Sequence, residues 1–273
     1  MRAALLLLAI AAALPAQKVE RDLPYGKDAK QTVDLYLPAG ENFTTIVYTY
    51  GGGWHSGSGK SSQPIAEQLQ KAGYACALVT HRLYPPSVFP AHAEDLAAAF
   101  AWVHAHIAER GGDPKKLVLA GHSSGAHLSL LLATDPRYLK AQHLAISDVA
   151  AVIGLSTPVD LSVHGDRTGY GDTLMAGQGA GAFARDAALM KDASPIEHVS
   201  KLLPRTLLVV GQNDFPMLEA DARRFMEKAA QAGRKVDFLL APGKDHMGVA
   251  RGMIDPADPV PRKVLEFLKS AGL

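Results

Sequence analysis

With a single cysteine in 273 residues, the chain has no possible intrachain disulfide. Cys76 lies within Tyr74-Ala75-Cys76-Ala77-Leu78-Val79. That run reads as a buried strand, and its thiol is expected to be a small core hydrophobe, not a reactive group. An excess of one charge is also missing. Lys and Arg number 28 against 27 Asp and Glu, a net +1, so the charge balance gives no reason to expect nucleic acid or an anionic membrane as partner. No cluster has the spacing of a zinc site. His104 and His106 stand two apart on an expected helix and point in different directions. There is no internal repeat and no linker between domains. The apolar run Ala3–Leu14 is too short to serve as a stable membrane anchor.

The composition is that of one large α/β domain, 48% hydrophobic and 20% charged. Residues Met1–Ala16 have the layout of a signal peptide: Arg2, the apolar run, then Leu14-Pro15-Ala16. Cleavage is expected after Ala16, giving a secreted or periplasmic protein. Arg2 leaves with the peptide, and basic and acidic residues are then equal in number.

Hydrophobic patterning predicts strands over Thr32–Leu37, Thr45–Tyr50, Tyr74–His81, Lys116–Ala120, Val149–Leu155, Arg205–Val210 and Val236–Leu240. Helices are expected over Ser61–Ala72, Pro90–Gly111, Leu218–Ala232 and Pro261–Ala271. The alternation predicts a mainly parallel sheet with helices on both faces. Ser156–Leu203 breaks the rhythm with clustered glycines (Gly165, Gly169, Gly171, Gly177, Gly179, Gly181) and no clear strand. It is expected to form a small lid over the sheet edge.

The most informative segment is Gly121-His122-Ser123-Ser124-Gly125, between a strand and the helical segment Ala126–Thr134. A G-x-S-x-G in that context is a nucleophile elbow. A serine hydroxyl needs a base, the base needs an orienting acid, and the developing oxyanion needs donors. Asp214 stands in the loop after Leu207–Gly211, and His246 just after the last strand. The order Ser, Asp, His is that of α/β-hydrolases. The rival carboxylates are weaker. Glu219 and Asp221 fall on an expected exposed helix, and Asp245 adjoins His246 in sequence. Oxyanion donors are expected from the backbone of Ser124 and of Gly52 and Gly53, in Tyr50-Gly51-Gly52-Gly53-Trp54. A phosphate loop is the rival reading of those glycines, but its Gly-Lys-Ser/Thr ending is absent.

Together these residues resemble an α/β-hydrolase esterase of the hormone-sensitive-lipase-like and feruloyl/acetyl esterase group. The match takes in Tyr50–Trp54, Arg82-Leu83-Tyr84-Pro85, Phe89-Pro90-Ala91 with Glu94-Asp95, Gly112-Asp113-Pro114, Gly121–Leu128, Ser194-Pro195, Asp214 and His246. The resemblance implies a mostly parallel sheet of about eight strands flanked by helices, with a small lid insertion. It implies a serine carboxylesterase acting on short-chain acyl, acetyl or feruloyl esters, free or polysaccharide-linked, without a cofactor, and the N-terminal segment adds export. Three positions depart from the family: Tyr50 replaces the usual His, Ser124 the usual Ala, and His81 the usual Tyr. An arylformamidase-like amide hydrolase and a non-catalytic binding protein on the same fold are the alternatives. Of the other histidines, His122 is expected to pack behind the elbow and His127 to be a satisfied core residue. His55 and His92 are expected at the mouth or in solvent.

Overall fold

The structure is a computed structural model that describes residues 17–162 and 181–273. The expected signal peptide and the glycine-rich centre of the expected lid lie outside the described residues.

Eight strands form one sheet: β1 Lys18–Pro24, β2 Thr32–Leu37, β3 Phe43–Thr49, β4 Ala75–Thr80, β5 Gly112–His122, β6 Ala151–Leu155, β7 Arg205–Gly211 and β8 Val236–Ala241. Their spatial order is β1-β2-β4-β3-β5-β6-β7-β8. Only β2 runs against its neighbours. Among the described residues the α-helices are α1 Gln63–Lys71, α2 Ala91–His106, α3 Ser124–Thr134, α4 Pro136–Ala141, α5 Ala187–Asp192, α6 Pro216–Gln231, α7 His246–Gly252 and α8 Pro259–Ser270.

The central strands are near-continuous apolar runs because both faces are covered. Alternate residues feed two cores. Val47, Leu117, Leu119, Val152, Leu208 and Val210 face one core with α2, α3 and α6. Ile46, Val118, Ala120, Ile153, Leu207 and Val209 face the other with α1 and α8.

The register explains where a site can form. Thr49 pairs with Gly121, His122 with Leu155, Leu155 with Val209, and Gly211 with Ala241. The C-terminal ends of β3, β5, β6, β7 and β8 therefore form one edge, where open α/β sheets place ligands. The residues that leave that edge are the glycine loop, Ser123, Ser156, Asp214 and His246.

Strand β1 was not expected from the sequence. Lys18-Val19-Glu20-Arg21 is largely exposed on the sheet edge and shows no apolar alternation. The flanks of the expected lid are knitted into the body of the domain. Val159, Leu161, Ala182 and Phe183 are core residues, and the Ile196 N–H donates to the Val159 carbonyl at 3.0 Å.

Candidate active site

Strand β5 runs directly into α3, and Ser123 makes the turn between them with φ 53° and ψ −123°. A non-glycine residue at positive φ costs of order 1–3 kcal/mol and marks sites where geometry is imposed by the surroundings. The flanking glycines are required by close approach. A Cβ on Gly121 would lie 2.6 Å from the Gly125 carbonyl carbon, and one on Gly125 would lie 2.2 Å from the Thr49 oxygen.

Ser123 Oγ is 2.9 Å from His246 Nε2, and His246 Nδ1 is 2.7 Å from Asp214 Oδ1. An ionised carboxylate only accepts, so Nδ1 carries the proton and Nε2 is free to accept from Ser123. The side chains are all largely buried, with Asp214 2% and His246 15% exposed. Asp214 Oδ1 also accepts from the Phe215 N–H at 2.8 Å, while Oδ2 accepts from Ser156 Oγ at 2.6 Å and from the Gly211 N–H at 3.3 Å. Burial alone would raise the Asp214 carboxyl. The hydrogen bonds from His246 and Ser156 outweigh it and hold the group below its ordinary value.

The glycine loop lies against the elbow. Trp54, 1% exposed, anchors it by packing edge-on to Phe183, with ring centroids 4.9 Å apart. Of the three expected oxyanion donors, the Gly52 N–H points at Ser124 Oγ, 3.1 Å away. The Gly53 N–H meets no acceptor among the described residues. Ser124 opens α3, so its N–H has no partner within the helix.

The BD-FAE family profile matches residues 33–228, well over half of the chain. The chain belongs to the BD-FAE family. It is similar to the esterase LipC of Mycobacterium tuberculosis, 29% identical over 83% of this chain and 59% of that protein. The BD-FAE chain spans about half the length of the curated relatives it matches. Among solved structures it is similar to a truncated carbohydrate esterase from gut microbiota, with TM-score 0.78, 24% identity, and coverage of 94% of this chain and 96% of that one. It is also similar to the propionate-bound thermophilic esterase Est2 of Thermogutta terrifontis, with TM-score 0.72, 25% identity, and coverage of 94% and 93%. The fold is that of the α/β-hydrolases.

Two of the three departures from the BD-FAE pattern meet in space. Tyr50 and His81 stack with ring centroids 5.0 Å apart and an interplanar angle of 12°. The register Thr49↔Val79 carries both residues off the ends of adjacent strands. Where the family resemblance places His then Tyr, this chain has Tyr then His, and the two rings stack on each other.

The bystander histidines divide. His127 is a satisfied core residue: its Nδ1 accepts from Trp54 Nε1–H at 3.3 Å, and its Nε2–H donates to the Ala193 carbonyl at 2.8 Å. His122 packs behind the elbow, as expected, and its Nε2–H donates to the His246 carbonyl at 2.9 Å. His55 is half-buried. His92 corrects the sequence reading: it is fully buried, edge-on to His81 at 5.7 Å. Asp221 is corrected too, since it is buried and accepts from Arg224 at 2.7 Å. Glu219 pairs with Arg223 at 2.7 Å. Asp245 caps α7, accepting from the Gly248 N–H at 2.5 Å. Among the described residues, no group of three His, Cys, Asp or Glu is placed to hold a metal.

Sequence reasoning missed Ser156. It follows β6 with φ 53°, fully buried, and its hydroxyl orients the outer oxygen of Asp214. Ser156→Ala removes one hydrogen bond to a charged group, worth roughly 1.5–3 kcal/mol. Two backbone donors and His246 still hold the carboxylate. We expect kcat to fall by about tenfold, with Asp214→Asn far worse. A Ser156→Ala enzyme as impaired as Asp214→Asn would show that the backbone donors do not hold Asp214.

The buried histidines predict acid lability. Burial pushes His127 down to about 4. Burial, then the neighbouring His246, does the same to His122. Burial lowers His92 to about 3. The unfolded chain binds these protons near 6.5 and the folded chain only near 4 or, for His92, about 3, so unfolding is favoured as pH falls from 6.5 toward those values. Asp214, also depressed, loses its contribution in the same direction at lower pH. Calorimetric Tm is therefore expected to drop steadily between pH 6.5 and 4. A constant Tm across that interval would contradict the neutral buried rings.

Proposed function

We propose that this chain is a carboxylic-ester hydrolase acting through Ser123, His246 and Asp214. The supporting observation is the unbroken hydrogen-bond chain from Ser123 Oγ through His246 to Asp214, at 2.9 and 2.7 Å, on a strand-to-helix elbow. Similarity to named esterases supports the same chemistry.

In this mechanism Ser123 Oγ attacks the ester carbonyl while His246 Nε2 takes its proton. The carbonyl electron pair moves onto oxygen, and backbone N–H groups at Gly53 and Ser124 stabilise it. The tetrahedral intermediate collapses, His246 protonates the departing alcohol, and Ser123 carries the acyl group. Water, deprotonated by His246, then attacks the acyl carbon, and His246 returns the proton to Ser123 Oγ as the acid leaves. Asp214 fixes the tautomer and stabilises the imidazolium.

Short acyl, acetyl or feruloyl esters are the proposed substrates, in line with a carbohydrate esterase and a propionate-binding esterase among the similar structures. Export is proposed from Met1–Ala16, and N-terminal sequencing of the mature protein tests it. The substrate test measures kcat/KM on nitrophenyl esters of increasing acyl length beside acetylated xylan, methyl ferulate and N-formylkynurenine. Turnover of esters is expected, and a preference for N-formylkynurenine would overturn the ester assignment.

A further inference from the structure

Ser124 carries a hydroxyl one residue after the nucleophile, only 3% exposed. Its oxygen is fixed from outside the elbow: the Gly52 N–H donates to it at 3.1 Å across 72 residues of sequence. The Ser124 proton has no acceptor among the described residues. Other serines in the region spend theirs on the protein, Ser129 on the Ala120 carbonyl and Ser156 on Asp214. Gly52 is thus a donor already engaged, and the group it engages is itself a donor with a free proton beside the elbow.

We propose that the Ser124 hydroxyl is a catalytic residue, a side-chain donor to the oxyanion that works with the N–H groups of Gly53 and Ser124. This rests on the Ser123 mechanism proposed above. Gly52 then acts through Ser124: its amide holds the hydroxyl oxygen as acceptor, which leaves the O–H to donate outward. When the substrate carbonyl becomes tetrahedral, the negative charge on its oxygen is met by two backbone donors and one hydroxyl, set in place before the reaction. Such preorganised donors act on the transition state more than on bound substrate. No alanine at this position could supply the third donor.

Two variants test it. Ser124→Ala removes the hydroxyl, and Ser124→Cys keeps a side chain of similar volume with a weak donor. Loss of one oxyanion donor costs on the order of 10²-fold in kcat. Both variants are expected to show that fall with KM within a few-fold of wild type and with the fold intact, Tm dropping by no more than the loss of one neutral hydrogen bond explains. The second readout is inhibition by an aliphatic trifluoromethyl ketone, whose adduct with Ser123 places an oxyanion in the same position. Its Ki should rise in both variants by the same factor that kcat/KM falls. An unchanged Ki would overturn the proposal. A rise in kcat for Ser124→Ala would also overturn it, because the hydroxyl would then be obstructing Gly52. If wild-type enzyme forms no adduct with the ketone, the Ser123 mechanism itself fails, a result distinct from either.

Discussion

Ser123→Ala is expected to reduce ester turnover by roughly 10⁶-fold, the loss seen when another serine hydrolase is deprived of its nucleophile. The substitution takes away one oxygen and leaves the elbow in place. The alanine inherits the same positive φ, and the glycines that admit the tight turn are untouched. His246 Nε2 then has no hydroxyl to deprotonate, and no acyl-enzyme forms. Whatever rate persists comes from oxyanion donors and substrate positioning acting on water. A variant within about 10²-fold of wild type, with other esterases rigorously excluded from the preparation, would show that Ser123 is not the nucleophile.

Asp214→Asn is expected to lower kcat by about 10⁴-fold while leaving the fold intact. The carboxylate is the reason His246 keeps its proton on Nδ1, 2.7 Å away. An amide in its place presents an N–H there and turns the ring to the other tautomer. Nε2 then bears hydrogen and cannot accept from Ser123. The negative charge that balances the imidazolium is lost with it. The comparison is Asp245→Asn, one residue before the histidine. Asp245 caps α7, and asparagine caps a helix equally well, so activity should stay within a few-fold of wild type. Equal losses in the two variants would remove the ground for assigning the acid to Asp214.

Much of this site was legible in the sequence because a parallel sheet aligns the ends of its strands. A chemically distinctive residue just past a strand end must arrive at the common edge, and Ser123, Asp214 and His246 each stand there. What depended on which strands are neighbours was not legible. Ser156 looked like the first residue of an irregular stretch. Only the register Leu155↔Val209 places it beside the loop that holds Asp214. Tyr50 and His81 read as two separate departures from the family, and adjacency of β3 and β4 makes them one stacked pair. Burial on helices was harder again. His92 and Asp221 are polar residues on helices, and their enclosure depends on what packs against the helix. Strand β1 stayed hidden because edge strands need no apolar alternation and carry charge that guards the edge.

The most direct test of the mechanism is to mix the enzyme with excess nitrophenyl acetate, quench in acid within the first turnovers, and map the acylated peptide by mass spectrometry. A burst of nitrophenol near one equivalent per enzyme is predicted where deacylation is the slower step. The acetyl group should be found on Ser123, and Ser123→Ala should show neither burst nor adduct. Acetyl on another residue, or steady turnover in which Ser123 is never acylated, would contradict it.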